Sequence, residues 1–284
     1  MSVTTSNLGC DIACPCCGSA DCAPWARELG FTAVRCRSCK LIYVNPRPPV
    51  AAIQSAVRTG VHGADAGYLD VRTKRIDARV NVYLERFARI FADVWTKGVP
   101  VSWLDVGAGN GEIVEAITKL APAGSRIEGV EPMDAKASRA RARGLNVRTS
   151  YLTPDHPKVG FVSVIDVFSH IPEFGSFLAD VRAVLLPGGE LFIETGNLAD
   201  LDRREEFPGA LGLPDHLVFA GESQLGLYLK DAGFETLSIE RVRVDGIIYF
   251  VKNVVKKILG RPVTVRLPYT SRYRQLLIRA RAVG

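Results

Sequence analysis

The stretch that decides the fold is V-S-W-L-D-V-G-A-G-N-G, residues 101–111. An apolar run ends in Asp105, and Gly107, Gly109 and Gly111 follow at alternate positions. Over the next nine residues, 112–120, apolar side chains recur with the period of one helical face. The stretch therefore predicts a strand, a glycine turn and a helix, and a turn without Cβ atoms lets a ligand lie against the backbone.

The spacing of the glycines narrows the kind of ligand. A dinucleotide site has the pattern G-x-G-x-x-G, and the position of its third glycine is Glu112 here. A carboxylate at that position would repel a pyrophosphate, so a nucleoside without phosphates fits better. Further along, I-E-G-V-E-P at residues 127–132 predicts a second strand that ends in Glu131. An acid at this point is placed to accept hydrogen bonds from ribose hydroxyls.

Three motifs occur in order: L-D-V-G-A-G-N-G at 104–111, G-V-E-P at 129–132 and L-L-P-G-G-E-L at 185–191. Over about residues 100–245 the chain resembles the class I S-adenosylmethionine-dependent methyltransferases; the alternative is another doubly wound nucleotide-binding fold. The resemblance implies an α/β, Rossmann-like, seven-stranded domain over residues 99–284 and S-adenosyl-L-methionine as cofactor. The expected cofactor contacts are Asp105, Gly107, Gly109, Gly111, Glu131, Asp166, Tyr68 and Arg72.

Residues 1–48 form a cysteine module. Two C-x₂-C pairs stand eighteen residues apart, the spacing of a four-cysteine zinc site, with Cys14, Cys17, Cys36 and Cys39 as the ligands. Cys16 is an alternative to Cys17, and disulfides are the alternative chemistry. Four thiolates leave no open position for a catalytic water, so we expect a structural zinc ribbon that metal holds folded.

Three further segments complete the predicted organisation. Residues 49–98 are expected to be a helical linker that covers the cofactor, with a link over 50–70 and a helix over 72–96 whose arginines are mostly solvated. Residues 196–221 are too long for a plain connection and are interpreted as a substrate lid. Residues 246–272 form a basic insertion.

The net charge of +6 is uneven. From residue 246 onward there are nine Lys and Arg and no acid, so the rest of the chain carries −3. This distribution argues against nucleic-acid binding by the whole protein. The chain has neither a signal-like start nor an apolar run that could span a bilayer, so we expect a cytoplasmic protein. Residues 247–259 are amphipathic and basic; they could contact anionic lipid, but packing on their own domain or on a partner in an oligomer is favoured.

The catalytic candidates are Asp166, His170 and His216. The first two end the predicted fourth strand, 161–170, where ligands bind in open α/β sheets, and His216 lies in the predicted lid. An oxygen nucleophile needs a base near neutrality, which histidine supplies. The ribbon, His170 and the P-D-H-L segment at 214–217 resemble methyltransferases of sugar and secondary-metabolite pathways. This resemblance implies a small-molecule acceptor, with a hydroxyl of a sugar or natural-product intermediate as the methylated group. The alternatives are a ribosomal RNA base methyltransferase and a non-catalytic zinc-ribbon interaction protein.

Overall fold

The computed structural model of the protein describes residues 9–60, 76–207, 209–261, 263 and 265–283, without the side chains of 76–78. The strands are β1 (Cys22–Glu28), β2 (Phe31–Cys36), β3 (Ile42–Val44), β4 (Ser102–Val106), β5 (Arg126–Val130), β6 (Val147–Arg148), β7 (Val159–Ile165), β8 (Leu185–Gly196), β9 (Val218–Phe219), β10 (Phe234–Arg243) and β11 (Arg274–Ala282). The helices are α1 (Val50–Thr59), α2 (Ile76–Ile90), α3 (Ala92–Trp95), α4 (Glu112–Leu120), α5 (Asp134–Ala142), α6 (Phe174–Val184), α7 (Glu222–Asp231) and α8 (Ile247–Ile258), with 3₁₀ turns at Phe168–His170, Leu198–Asp200 and Arg204–Glu206.

Seven strands form one mixed sheet in the order β6-β5-β4-β7-β8-β11-β10. Strand β11 runs antiparallel to both of its neighbours, and the other pairs are parallel. Strand β4, the third from the β6 edge, is covered on both faces: Trp103 and Leu104, which point to opposite sides of the sheet, are fully buried. The predicted seven-stranded α/β domain is confirmed, and it brings the carboxyl ends of β4, β5 and β7 to one edge.

An aromatic cluster fixes α2 on one face of the sheet. Phe87 and Phe91 pack edge-on against Trp103, with ring centroids 5.5 and 4.8 Å apart. The predicted helix over 72–96 is broken at Phe91. The backbone of this residue is not helical (φ −111°, ψ 26°), and it separates α2 from α3. The link expected over 50–70 contains a helix, α1, which ends at Gly60 with a left-handed φ of 72°.

A second, antiparallel sheet has the order β1-β2-β3-β9. Its fourth strand, β9, comes from residues 196–221, the segment predicted to be a lid. In that segment Leu198, Leu211 and Leu213 are buried. The buried side chains of the cysteine module, such as Cys36 and Tyr43, belong to the same hydrophobic cluster as those under the large sheet. The cysteine module and the seven-stranded domain therefore share a core.

Helix α8 exposes its apolar side. Ile248 is 73% exposed and Ile258 is 78% exposed, whereas Asn253 on the opposite side is only 3% exposed. The described residues therefore leave this apolar face uncovered, contrary to the expectation that it packs on its own domain. In the described part of the chain, no helix is long and apolar enough to cross a membrane.

Candidate cofactor cleft and acceptor site

The glycine turn follows β4 directly and needs glycine for two reasons. Gly107 and Gly111 have left-handed φ values of 77° and 86°, which side chains with a Cβ rarely adopt. A Cβ at Gly107 would also collide with Val167, and one at Gly111 would collide with Leu145. The turn therefore packs tightly on the protein side and presents bare backbone at the start of α4.

Glu131 joins this turn to the end of β5. One carboxylate oxygen accepts a hydrogen bond from the backbone N–H of Gly109 at 2.9 Å, and the other accepts one from Met133 at 2.9 Å. The side chain is buried, with 6% exposure. Each oxygen of a carboxylate has a second lone pair, so a rigidly held Glu131 keeps acceptor capacity for a ligand. Sequence reasoning predicted this residue as the ribose acceptor.

Asp105, the last acidic residue of β4, is fully buried beneath the turn. Its Oδ1 accepts a hydrogen bond of 2.5 Å from Ser163, whose Oγ also accepts one from Trp103 Nε1. Its Oδ2 has no hydrogen-bond partner among the described residues. Burial raises the pKa of Asp105 to about 8, although the Ser163 hydroxyl partly opposes the shift. Asp105 therefore favours its neutral, protonated form near neutral pH and lies beneath the turn rather than on its surface.

Asp166 stands where β7 ends and has an unusual backbone, with φ 55°. Its Oδ2 lies 3.9 Å from Arg79 Nη2, and its side chain is 57% accessible within the cleft. The surrounding protein raises the pKa of Asp166, and the charges of Arg79 and His170 oppose that shift. Strained conformations of this kind persist at ligand sites because the neighbouring structure holds them. Asp166 thus lies on the cleft side of the sheet, as the sequence predicted.

Glu194 lies one strand further, in β8, and is 1% exposed. Arg86 of α2 and Gln275 of β11 each donate a hydrogen bond to its carboxylate. Burial nevertheless raises the pKa of Glu194 to about 6. Sequence reasoning expected the arginines of this helix to be mostly solvated, but Arg86 is turned inward. The spacing of Arg79, Tyr83 and Arg86, which places them on one helical face, was the available signal.

The two candidate bases lie side by side. The ring centroids of His170 and His216 are 4.7 Å apart, nearly perpendicular. His170 Nδ1 lies 2.9 Å from the carbonyl oxygen of Asp215 and 3.2 Å from its carboxylate. The structure therefore brings together two histidines 46 positions apart in sequence. Sequence reasoning assigned no role to Asp215, although it precedes His216 directly.

The two histidines have opposite pKa shifts. Burial alone would lower the pKa of His170, but the hydrogen bond and charge of Asp215 more than compensate, so it is raised. Burial lowers the pKa of His216, and the neighbouring His170 lowers it further. Near neutral pH the pair therefore holds one ring that favours the proton and one that is free to accept it.

The cysteine module holds the segment that carries His216. Leu217 donates a backbone hydrogen bond to Ser169 at 2.6 Å and accepts one from Val44 of β3 at 2.8 Å. The carboxylate of Glu28, at the end of β1, accepts hydrogen bonds from the N–H groups of Leu211 and Gly212 at 2.7 and 2.8 Å. The position of His216 therefore depends on the small sheet.

Four cysteine sulfurs converge at the other end of that sheet. The Sγ atoms of Cys14, Cys17, Cys36 and Cys39 all lie within 4.8 Å of one another. Cys14 and Cys39 are 3.4 Å apart, and Cys17 and Cys36 are 3.6 Å apart. Zn–S bonds of about 2.3 Å place the sulfurs of a tetrahedral site ~3.8 Å apart, whereas a disulfide needs about 2.05 Å. The donor set fits a metal ion, with Cys17 rather than Cys16 as the fourth member.

Two predicted cofactor contacts, Tyr68 and Arg72, lie outside the described residues. The others, from Asp105 through the glycine turn to Glu131 and Asp166, line the edge where β4, β5 and β7 end. His170 lies in the turn that follows Asp166, and His216 packs against His170. The geometry therefore combines a nucleoside cradle with a group of titratable side chains.

A seven-stranded sheet in this strand order, with one antiparallel strand next to its edge and a glycine turn after β4, defines the class I methyltransferase fold. Residues 75–239 match a family described as a methyltransferase domain. Because the match covers more than half of the chain, the protein belongs to this family. Geranyl diphosphate C-methyltransferase from Streptomyces coelicolor has the same fold, with a TM-score of 0.52 and 16% identity over 83% of this chain and 100% of that one.

Two curated relatives share part of the sequence. A ubiquinone biosynthesis O-methyltransferase of Bradyrhizobium is 31% identical over 105 residues, which are 33% of this chain and 39% of that protein. The protein of the same name from Coxiella burnetii is 28% identical over 153 residues, which are 48% and 64% of the two chains. The similarity thus spans less than two thirds of either relative.

Proposed function

We propose that the protein is an S-adenosyl-L-methionine-dependent methyltransferase that methylates a hydroxyl group of a small-molecule acceptor. The observation that carries this proposal is the pair His170 and His216, oriented by Asp215 next to a cleft built on the glycine turn and Glu131. Membership of the methyltransferase family supports the cofactor. The names of the two relatives support an oxygen acceptor.

The cofactor would be held by residues at three strand ends, those of β4, β5 and β7. Glu131 would accept hydrogen bonds from the ribose hydroxyls, and the backbone of Gly107 and Gly109 would line the nucleoside. The carboxylate of Asp166, which is accessible beside Arg79, would face the positively charged part of the molecule. When bound, the cofactor supplies an electrophilic methyl group on a sulfonium, and the protein holds the acceptor oxygen in line with it.

His216 is the base that takes the proton of the acceptor hydroxyl. A base must be neutral to accept a proton, and burial beside His170 lowers the pKa of His216. His170 has the opposite role: paired with Asp215 it favours its charged form and orients its neighbour. Glu194 of β8, the strand next to β7, forms an ion pair with Arg86.

The four cysteines hold a structural zinc ion. The sulfur separations match a tetrahedral thiolate site, and the cluster fills all four positions. The ion would hold β2 and β3 in place, and β3 in turn bonds the segment of His216. Its contribution to the reaction is therefore the position of the base.

Calorimetry and native mass spectrometry test the cofactor and the metal together. The purified protein should carry one zinc ion and should bind S-adenosylhomocysteine. Glu131→Ala should weaken that binding about tenfold or more, because the variant loses the ribose acceptor and leaves the N–H of Gly109 unpaired. Asp134→Ala is the matched control, since this nearby carboxylate pairs only with surface groups. Zinc without cofactor binding would contradict the enzymatic proposal.

Acceptor chemistry is then tested with labelled S-adenosyl-L-methionine. A panel of phenols, catechols and sugar hydroxyls should give methylated products in wild-type protein and about a hundredfold less in His216→Asn. Methylation of amines or of ribosomal RNA in place of these hydroxyls would overturn the assignment of an oxygen acceptor.

A further inference from the structure

Helix α8 leaves a broad apolar face exposed, in addition to the half-buried Tyr249 and Phe250 that face the protein body. At 100° per residue, the positions of its most exposed apolar residues fall within an arc of about 120°. They are Ile247, Ile248, Val251, Val255, Ile258 and Leu259, between 49% and 78% exposed. The side that faces the body includes the buried amide of Asn253, which lines a small cavity with Asp245 and Ser271. An apolar face this regular and this exposed indicates a contact surface.

The charge around this apolar face has one sign. Lys252, Lys256 and Lys257 flank the apolar arc, and none of them forms an ion pair with a described residue. The sequence from residue 246 onward contains nine basic residues and no acid. Two copies of the helix packed about a two-fold axis would bring these lysines against one another. The cations instead complement a negatively charged partner.

We propose that α8 binds peripherally to the surface of an anionic phospholipid bilayer, with the apolar arc among the acyl chains and the lysines at the phosphates. Exposed Ile and Val with flanking lysines are the composition of helices that lie in the plane of a membrane surface. Leu267 and Tyr269 of the following segment are also exposed, at 69% and 59%.

The attachment of α8 links this surface to the cleft. The carboxylate of Asp245, just before the helix, accepts a hydrogen bond from Ser271 N at 2.9 Å, and Tyr273 N donates one to Ser271 Oγ at 3.0 Å. Tyr273 packs on Gly196 at the end of β8, beyond Glu194. Docking therefore brings the acceptor end of the cleft close to the lipid, so that an amphipathic acceptor can enter from the membrane; this consequence rests on the proposed function.

Vesicle flotation without cofactor tests the docking. The full-length protein should float with vesicles of phosphatidylcholine and phosphatidylglycerol, and much less with phosphatidylcholine alone or at high salt. The double variant Ile248→Ser/Ile258→Ser should lower the partition coefficient about tenfold or more. Replacement of Lys252, Lys256 and Lys257 by Gln should lower it about fivefold per lysine.

Leu29→Ser is the matched control, because Leu29 is equally exposed, at 74%, but lies in the β1–β2 turn. All variants should retain the wild-type affinity for S-adenosylhomocysteine, which separates this proposal from the proposed function. Failure of the wild type to float, or equal flotation of the α8 variants, would overturn the docking. So would sedimentation showing a wild-type dimer that the Ile variants convert to monomer, because a second copy would then cover the face.

Discussion

At the scale of single residues, the most unusual group is the buried carboxyl of Asp105. Its pKa is raised to about 8 by burial, against an ordinary value of about 4 in the unfolded chain. A raised pKa means that the folded state holds the proton more tightly. The stability that this proton contributes is complete below about pH 4 and is lost as pH rises through about 8.

Asp105→Asn should therefore be more stable than the wild type at pH 8, by about 1 kcal/mol or more, which corresponds to ~2–4 °C in melting temperature for a domain of this size. The advantage should shrink at pH 5, where the wild-type carboxyl is also neutral. Thermal melts of both proteins without cofactor across this range measure the difference. A difference in melting temperature between the two proteins that stays constant from pH 5 to pH 8 would show that Asp105 is ionised throughout this range.

His216 and His170 differ in the pH at which they lose their protons. If His216 is the base, kcat/KM should fall only below its lowered pKa, under the ordinary value of about 6.5, because the protonated ring cannot accept a proton. His216→Asn should lower kcat about 10²–10⁴-fold and leave the affinity for S-adenosylhomocysteine unchanged. The control is His156→Asn. His156 lies outside the cleft, where its Nδ1 is within hydrogen-bond distance of the carbonyl oxygen of Pro157. An acidic limb centred above pH 6.5 would assign the base to His170 instead.

At the scale of elements, β3 connects the four cysteines to the base. It follows the second cysteine pair and donates the Val44 hydrogen bond to the segment of His216. Removal of the metal should therefore displace the base more than the cofactor cradle, which is built on β4 and β5. Displacements of about 1 Å can cost a hundredfold in rate.

Chelation, or Cys14→Ser, should thus lower kcat at least about tenfold while the dissociation constant of S-adenosylhomocysteine changes by less than about threefold. Cys10→Ser is the matched control, since this exposed cysteine lies outside the cluster of four. Metal content, kcat and calorimetric affinity measured on the same samples decide the point. An equal loss of cofactor binding would mean that metal removal displaces the cofactor cradle as well as the base.

At the scale of the whole molecule, the sequence predicted what is encoded locally. The glycine turn and Glu131 could be recognised because a motif of a few residues fixes each of them. The pairing of β3 with β9 joins residues about 175 positions apart, and no local pattern encodes it. Helical periodicity likewise identified the apolar face of α8, but periodicity cannot tell on which side of the helix the protein body lies.

The shared core predicts how the molecule unfolds. Cys14 and Cys36 of the small sheet belong to the same buried cluster as Val164 of β7 and Leu276 of β11. Two units that bury one another's side chains should not melt separately, whereas the sequence analysis expected metal alone to hold residues 1–48 folded. Scanning calorimetry should therefore give one transition, and chelation should lower its midpoint by ~5 °C or more as a whole. S-adenosylhomocysteine at about 100 times its dissociation constant should shift the same single transition to a higher midpoint temperature, because the ligand binds only the folded state. Two resolved peaks, of which only one responds to the chelator, would instead show a ribbon that folds by itself, and the position of His216 would then need another explanation.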